Sequence, residues 1–280
     1  MFRFLPLLLG LWGILGLSPV AQSREIPPVL AQNLINKQGS SQTWPGNRVG
    51  GGTRSDFCNL VIPENTTIQT VLAKGALPLQ VVAIMPSNNL GETSLSYPRL
   101  VWYLPTTAAR YAELFLENSG ESEGDPVVLL YRMGFRITGE GGIHSVTIPQ
   151  DAGIPPLEPG KNYKWTLRLY CQSNEDTLDP WFDTDFDFGS QSRVSGSIYR
   201  SDVIPASASL RNETLLEQAQ VDLDQGLWFD ALDKLFDRYC EVKDNPTELG
   251  LFQDNWASLL DSVGLGLLAD QPIHVNCDRP

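Results

Sequence analysis

Between residues 174 and 191 the carboxylates Glu175, Asp176, Asp179, Asp183, Asp185 and Asp187 are interleaved with the rings of Trp181, Phe182, Phe186 and Phe188. Clustered carboxylates are what a hard divalent cation requires, and Ca2+ takes about six to eight oxygen ligands. Asp183, Asp185 and Asp187 fall on one face of an extended segment and are the candidate calcium ligands. The stretch does not follow the helix-loop-helix calcium pattern: Phe188 stands where that loop requires glycine and Val194 where it requires a bidentate glutamate. Alternation of acid and ring also describes an acidic hairpin that exposes its carboxylates and packs its aromatics, which needs no metal. That plainer reading leads, and no other cofactor is indicated.

Nucleophilic catalysis needs a base beside the nucleophile, and the chain has two histidines, His144 and His274, neither in a recognisable motif. No Gly-x-Ser-x-Gly elbow occurs, and Gly50-Gly51-Gly52 is neither preceded by a strand nor followed by Gly-Lys-Ser/Thr, so it is not a phosphate loop. A pair of acids for sugar hydrolysis is selected by geometry, which sequence does not supply. No catalytic residue is therefore assigned, and a binding role is expected over an enzymatic one. The candidate binding residues are aromatic: Trp102 and Tyr103, which a strand points to opposite faces, and Trp181 in the acidic stretch. Any of them left exposed would stack on a sugar or anchor a protein partner.

These residues sit in an exported chain. Met1 to Ser23 opens with Arg3, continues without charge through Leu17 and reaches small residues at Ser18, Ala21 and Ser23, the layout of a signal peptide. Cleavage after residue 23 is expected, with a second candidate site after Ala31. No later stretch is apolar for long enough to form a transmembrane helix in the mature chain. Export to the periplasm or cell surface places Cys58, Cys171, Cys240 and Cys277 where disulfides persist. The pairs Cys58-Cys171 and Cys240-Cys277 are preferred because each then stays within one structural unit. No Cys-x-x-Cys spacing argues for zinc. The 33 acidic residues outnumber the 20 Lys and Arg, whose scattered positions form no basic run, and this argues against nucleic acid as a partner.

Residues 24–49 read as a flexible linker, rich in Gln, Asn and Ser toward its end. From 50 to 204 short apolar runs alternate with turn signals. The best of them are Leu100 to Leu104, bracketed by Pro98 and Pro105, and Lys161 to Cys171, where Tyr163, Trp165, Leu167 and Leu169 share one face. Seven or so such strands predict an antiparallel, Ig-like β-sandwich. From 205 to 280 the apolar spacing becomes three and four, through Leu215, Ala219, Trp228, Leu232, Leu235, Trp256 and Leu259. That spacing predicts a small helical bundle, with Asn212 as a cap, Gly226 as a break and Asn245-Pro246 as a turn.

Several motifs occur in a fixed order: Gly50-Gly51-Gly52-Thr53-Arg54, Cys58, Leu95-Ser96-Tyr97-Pro98, Val101-Trp102-Tyr103-Leu104-Pro105, Tyr163-Lys164-Trp165, Leu169-Tyr170-Cys171, Val194 to Arg200 and Leu227 to Leu232. Together they resemble an exported cyanobacterial family known as domain of unknown function 928, over roughly Gly50 to Ala269. The resemblance implies a β-rich body with a helical tail and brings no catalytic residue with it. Asn174 to Gln191 is longer than the family's usual connection. The expectation is a non-enzymatic interaction module of the cell envelope whose partner is an envelope protein. A carbohydrate-binding module, calcium-assisted or not, is the alternative, and a hydrolase with an unrecognised site the third reading.

Overall fold

The computed structural model describes residue 48 and residues 80–118, 127–151, 153–170, 191–210 and 213–277. Nine strands and three α-helices follow in order: β1 (Val82–Ala83), β2 (Leu90–Thr93), β3 (Arg99–Leu104), β4 (Tyr111–Asn118), β5 (Val128–Arg136), β6 (Gly142–Thr147), β7 (Asn162–Tyr170), β8 (Gln191–Arg200), α1 (Leu215–Gln225), α2 (Trp228–Val242), α3 (Pro246–Ser262) and β9 (Ile273–His274). The chain is mainly β, with the strands in two sheets, β1-β3-β6-β9 and β2-β8-β7-β4-β5.

β3 forms where Leu, Val, Trp and Tyr follow one another between two prolines, and every one of its residues is buried. Side chains alternate across it. Trp102 and Leu104 line a cleft shared with Ala112 of β4 and Leu169 of β7, so this face looks toward the five-stranded sheet. Arg99, on the other face, meets α2 through Asp233 at 3.1 Å and Asp237 at 3.5 Å, with its guanidinium 5.2 Å above the Phe236 ring. β7 buries the row its sequence predicts, Tyr163, Trp165, Leu167 and Leu169. Opposite Trp165 stands Gly196, where a Cβ would lie 2.7 Å from the indole nitrogen, so only glycine admits the tryptophan.

Both sheets are mixed, which corrects the expectation of purely antiparallel pairing. β2 runs parallel to β8, and β9 parallel to β6. The physical reason is connectivity. Tight hairpins force antiparallel neighbours, whereas β2 pairs with a strand far along the chain and β9 returns after three helices, so neither direction is dictated by a turn.

The helices lie against the sheets, and the buried side chains of both form one continuous cluster. The Trp228 indole donates to the Ile84 carbonyl at 3.1 Å, and Phe229 lies so close to Gly91 that a Cβ there would sit 2.5 Å from its ring. Asp230, 1 % exposed, accepts from the Thr93 hydroxyl at 2.8 Å, the Ser94 amide at 2.9 Å and the Ser94 hydroxyl. Helix α1 is capped by Thr214 in a reciprocal capping box with Glu217, not by Asn212, which lies outside the described residues. It ends at Gly226, whose φ of 88° is the left-handed conformation glycine adopts without strain. Asn245 caps α3 with Pro246 in its first turn. Trp228 packs on the sheets as well as between helices; Trp256 stays among them, stacked on Phe252 and edge-on to Phe236.

Cys240 on α2 is bonded to Cys277, which holds the tail beside the four-stranded sheet. Cys58 and Cys171 lie outside the described residues, as do Trp181 and the 174–190 acids. Among the described residues no helix is long and apolar enough to cross a membrane.

Candidate functional site

Three rings from three neighbouring strands form a ladder on the four-stranded sheet. Trp102 of β3 is directly opposite His144 of β6, and His144 directly opposite His274 of β9. Cross-strand partners on one face bring their side chains together. Trp102 and His144 stack at 6.5 Å with 13° between planes, and His144 and His274 at 4.6 Å with 16°. The chain's two histidines are thus brought side by side by a strand of only two residues. Gly142 makes this possible: its φ is 148°, and a Cβ would lie 2.5 Å from the Pro272 carbonyl oxygen and 2.6 Å from the His274 ring.

The Nε2 atoms are held alike. His144 Nε2 lies 3.1 Å from the Glu140 carbonyl and His274 Nε2 3.1 Å from the Gly141 carbonyl. A carbonyl only accepts, so this hydrogen-bond network assigns the proton to Nε2 in both rings and the lone pair to Nδ1 when they are neutral. Burial holds the His144 pKa below its ordinary value. The Glu140 carbonyl and carboxylate oppose that shift, and the neighbouring His274 adds to it.

The ladder forms one wall of a cleft of about 450 Å3, within the range of ligand sites. Trp102, Leu104, Ala112 and Leu169 form its floor, Met133 and Phe135 of β5 the facing wall, and Arg136 and Glu140 lie at its mouth. Phe135 reaches across to Trp102 at 6.3 Å. The cleft therefore opens where two sheet margins come together. Among the described residues β5 is the last strand of its sheet, and β6 is bordered by β9 only at Ile143 and His144.

Ser145, the hydroxyl next to His144 in sequence, lies on the other face of β6 and accepts from Arg99 at 3.3 Å. Among the described residues no group of three or more His, Cys, Asp or Glu is placed to hold a metal ion. Asp183, Asp185, Asp187 and Trp181, the sequence-derived calcium and stacking candidates, lie outside the described residues. Trp102 and Tyr103 are both buried, at 4 % and 3 % exposure, and of the two only Trp102 lines the cleft. Tyr103 sits on the opposite face, where burial raises its pKa.

The outer face of the five-stranded sheet holds a polar cluster that the sequence did not reveal. Glu113, 3 % exposed, accepts from Arg132 Nε at 3.0 Å and Nη2 at 2.5 Å, and from the Tyr170 hydroxyl. Burial, followed by the Glu113 hydrogen bond, raises the Tyr170 pKa. Arg132 and Arg168 both cover the Phe115 ring, at 5.6 Å and 4.3 Å. Arg168 is directly opposite Arg193, and Arg136 shares this face through its pairing with Tyr111. Cations scattered singly along the sequence are thus gathered by strand pairing onto one face, where Glu113 and Glu117 stand among them.

The sequence profile of the family described as Domain of Unknown Function (DUF928) matches residues 49–273, a span that contains strands β1 to β8, all three helices and the first residue of β9, and stops one residue short of His274. No curated protein matches the chain.

Proposed function

The chain belongs to the domain of unknown function 928 family, and from that premise we propose that it is an exported, non-enzymatic interaction module of the cell envelope whose cleft takes up an apolar segment of a partner protein. One observation carries this reading: the apolar floor at Trp102 and Leu104 opens between two strand margins. A peptide there can satisfy its backbone on a strand edge and bury side chains in the cleft, as strand-addition modules do. In this reading the two facing sheets are an Ig-like sandwich, to which β9 is added from the C-terminal unit, and the helices of that unit buttress it.

A glycan-binding reading is supported less well. Sugar stacking needs an open ring face, and the faces of Trp102 are taken up by His144 and Phe135. Its calcium-assisted form rests on the sequence of Asp183, Asp185 and Asp187 alone.

The test is positional cross-linking in envelope preparations, with a photoreactive residue at Val146 on the cleft wall or at exposed Asp254 on α3. A discrete protein adduct at Val146 that is missing at Asp254 supports the reading. Equal labelling at both positions, or none at Val146, contradicts it.

A further inference from the structure

We propose that the free edge of β5 is a strand-addition site for an extended segment of a partner protein in which acidic and apolar residues alternate. The inference rests on the reading of the cleft given above and specifies the chemistry of what enters it.

β5 pairs with β4 on one side, and among the described residues no strand pairs with the other. Exposed edges invite pairing with another chain, and proteins blunt them with charged side chains, proline, bulges or very short strands. β5 carries Arg132 and Arg136 and has a bulge near its start, but it has no proline, runs nine residues as VLLYRMGFR and is preceded by Val127. Val127, Val128 and Leu129 are 62 %, 50 % and 51 % exposed, a run of apolar side chains on an edge.

The stretch Tyr131 to Arg136 is in regular register with β4, beyond a bulge opposite Leu116 and Glu117. A strand laid along it projects alternate side chains to two faces. On one face it meets Met133 and Phe135, the wall of the cleft. On the other it meets Arg132 and Arg136, both exposed, with Gly134 between them. Gly134 has to be glycine, since the Tyr111 hydroxyl lies 1.7 Å from where its Cβ would be, so the end of the Tyr111 ring lies over the strand between the two arginines. Arg132 commits Nε and one Nη to Glu113, leaving the other Nη for a ligand. Arg136 has no carboxylate partner among the described residues.

The segment that fits is apolar toward Met133 and Phe135 and carries carboxylates four residues apart toward the two guanidiniums, a spacing set by β geometry and the bidentate preference of arginine. Pairing with β5 of a second copy fits poorly: β5 beside β5 would bring the same arginines onto one face with no acid between them. A polyanion without a peptide backbone would meet the arginines but leave the strand edge and the apolar row unfilled.

The experiment uses the full chain and fluorescein-labelled decapeptides alternating Glu and Val, Gln and Val, or Lys and Val, with an alternately N-methylated form of the first, read by anisotropy. The Glu-Val peptide should bind tightest, the Gln-Val peptide about tenfold more weakly and the Lys-Val peptide more weakly still. N-methylation should abolish binding, and the double variant R132Q/R136Q should erase the preference for Glu over Gln. Equal binding of the Glu-Val and Gln-Val peptides overturns the charge assignment while leaving the cleft reading intact. Failure of all peptides overturns both. Concentration-dependent dimerisation abolished by V128K/L129K shows a self-paired edge and also overturns the proposal.

Discussion

The imidazoles of His144 and His274 lie 4.6 Å apart and nearly parallel, and this contact fixes the last strand of the chain to the rim of the cleft. The folded-state pKa of His144 is depressed, so the unfolded chain binds protons more readily. The stability contributed by neutral His144 is complete above the unfolded pKa of about 6.5 and is lost as pH falls through that value toward the folded one. The groups facing it are His274, Trp102 and Glu140. Urea midpoints measured between about pH 7.5 and 5 should fall more steeply for the native chain than for His144→Phe, which keeps a ring in the ladder without the charge.

Asp237 should behave in the opposite sense. Burial, then the neighbouring Asp233 carboxylate, pushes its pKa up to about 6 despite Arg99 at 3.5 Å. A half-exposed ion pair at that distance is weak and does not offset the cost of burying the carboxylate. A raised carboxyl pKa means stability present below the ordinary value of 3.8 and lost as pH rises through about 6. Asp237→Asn should therefore raise the urea midpoint at pH 7.5, with the gain gone below about pH 4.

Cys277→Ser frees the tail that brings His274 to the cleft. The bond spans a sequence separation of 37. Its loss should cost about 3–4 kcal/mol if the unfolded-chain entropy account holds, read as a lower denaturant midpoint. Amide exchange at Ile143 and His144, the residues β9 covers, should rise first. Unchanged exchange there would mean that β9 holds without its bond.

Gly91→Ala tests how closely the helices seat on the sheets. A Cβ at this position lies 2.5 Å from the Phe229 ring, and Phe229 is itself fully buried. Overpacking of this kind should destabilise by about 1–3 kcal/mol, measured by thermal or urea unfolding. Trp228→Phe should cost a similar amount by leaving the Ile84 carbonyl unbonded.

Much of the fold was readable because its signal is local. The two-residue alternation from Tyr163 to Leu169 marks β7, two prolines bracket β3, and the spacing from Leu215 to Leu259 marks the helices. β9 was not readable, since Ile273 and His274 are too few to show any period. Nor were the two parallel pairings, which depend on how distant segments meet. The site is illegible for the same reason. Trp102, His144 and His274 each look ordinary alone, and only the register of β3, β6 and β9 stacks them. The arginines of the outer face likewise become neighbours only across β4, β5, β7 and β8. A lone Arg between apolar residues on an edge strand was the one available hint.

The most direct measurement of the account is amide hydrogen exchange on the full chain, free and cross-linked to its partner through Val146. Slowed exchange confined to Tyr131 through Arg136 and Ser145 through Thr147, the margins of the cleft, is the predicted result. Protection confined to the helices, or none at either margin, would contradict it.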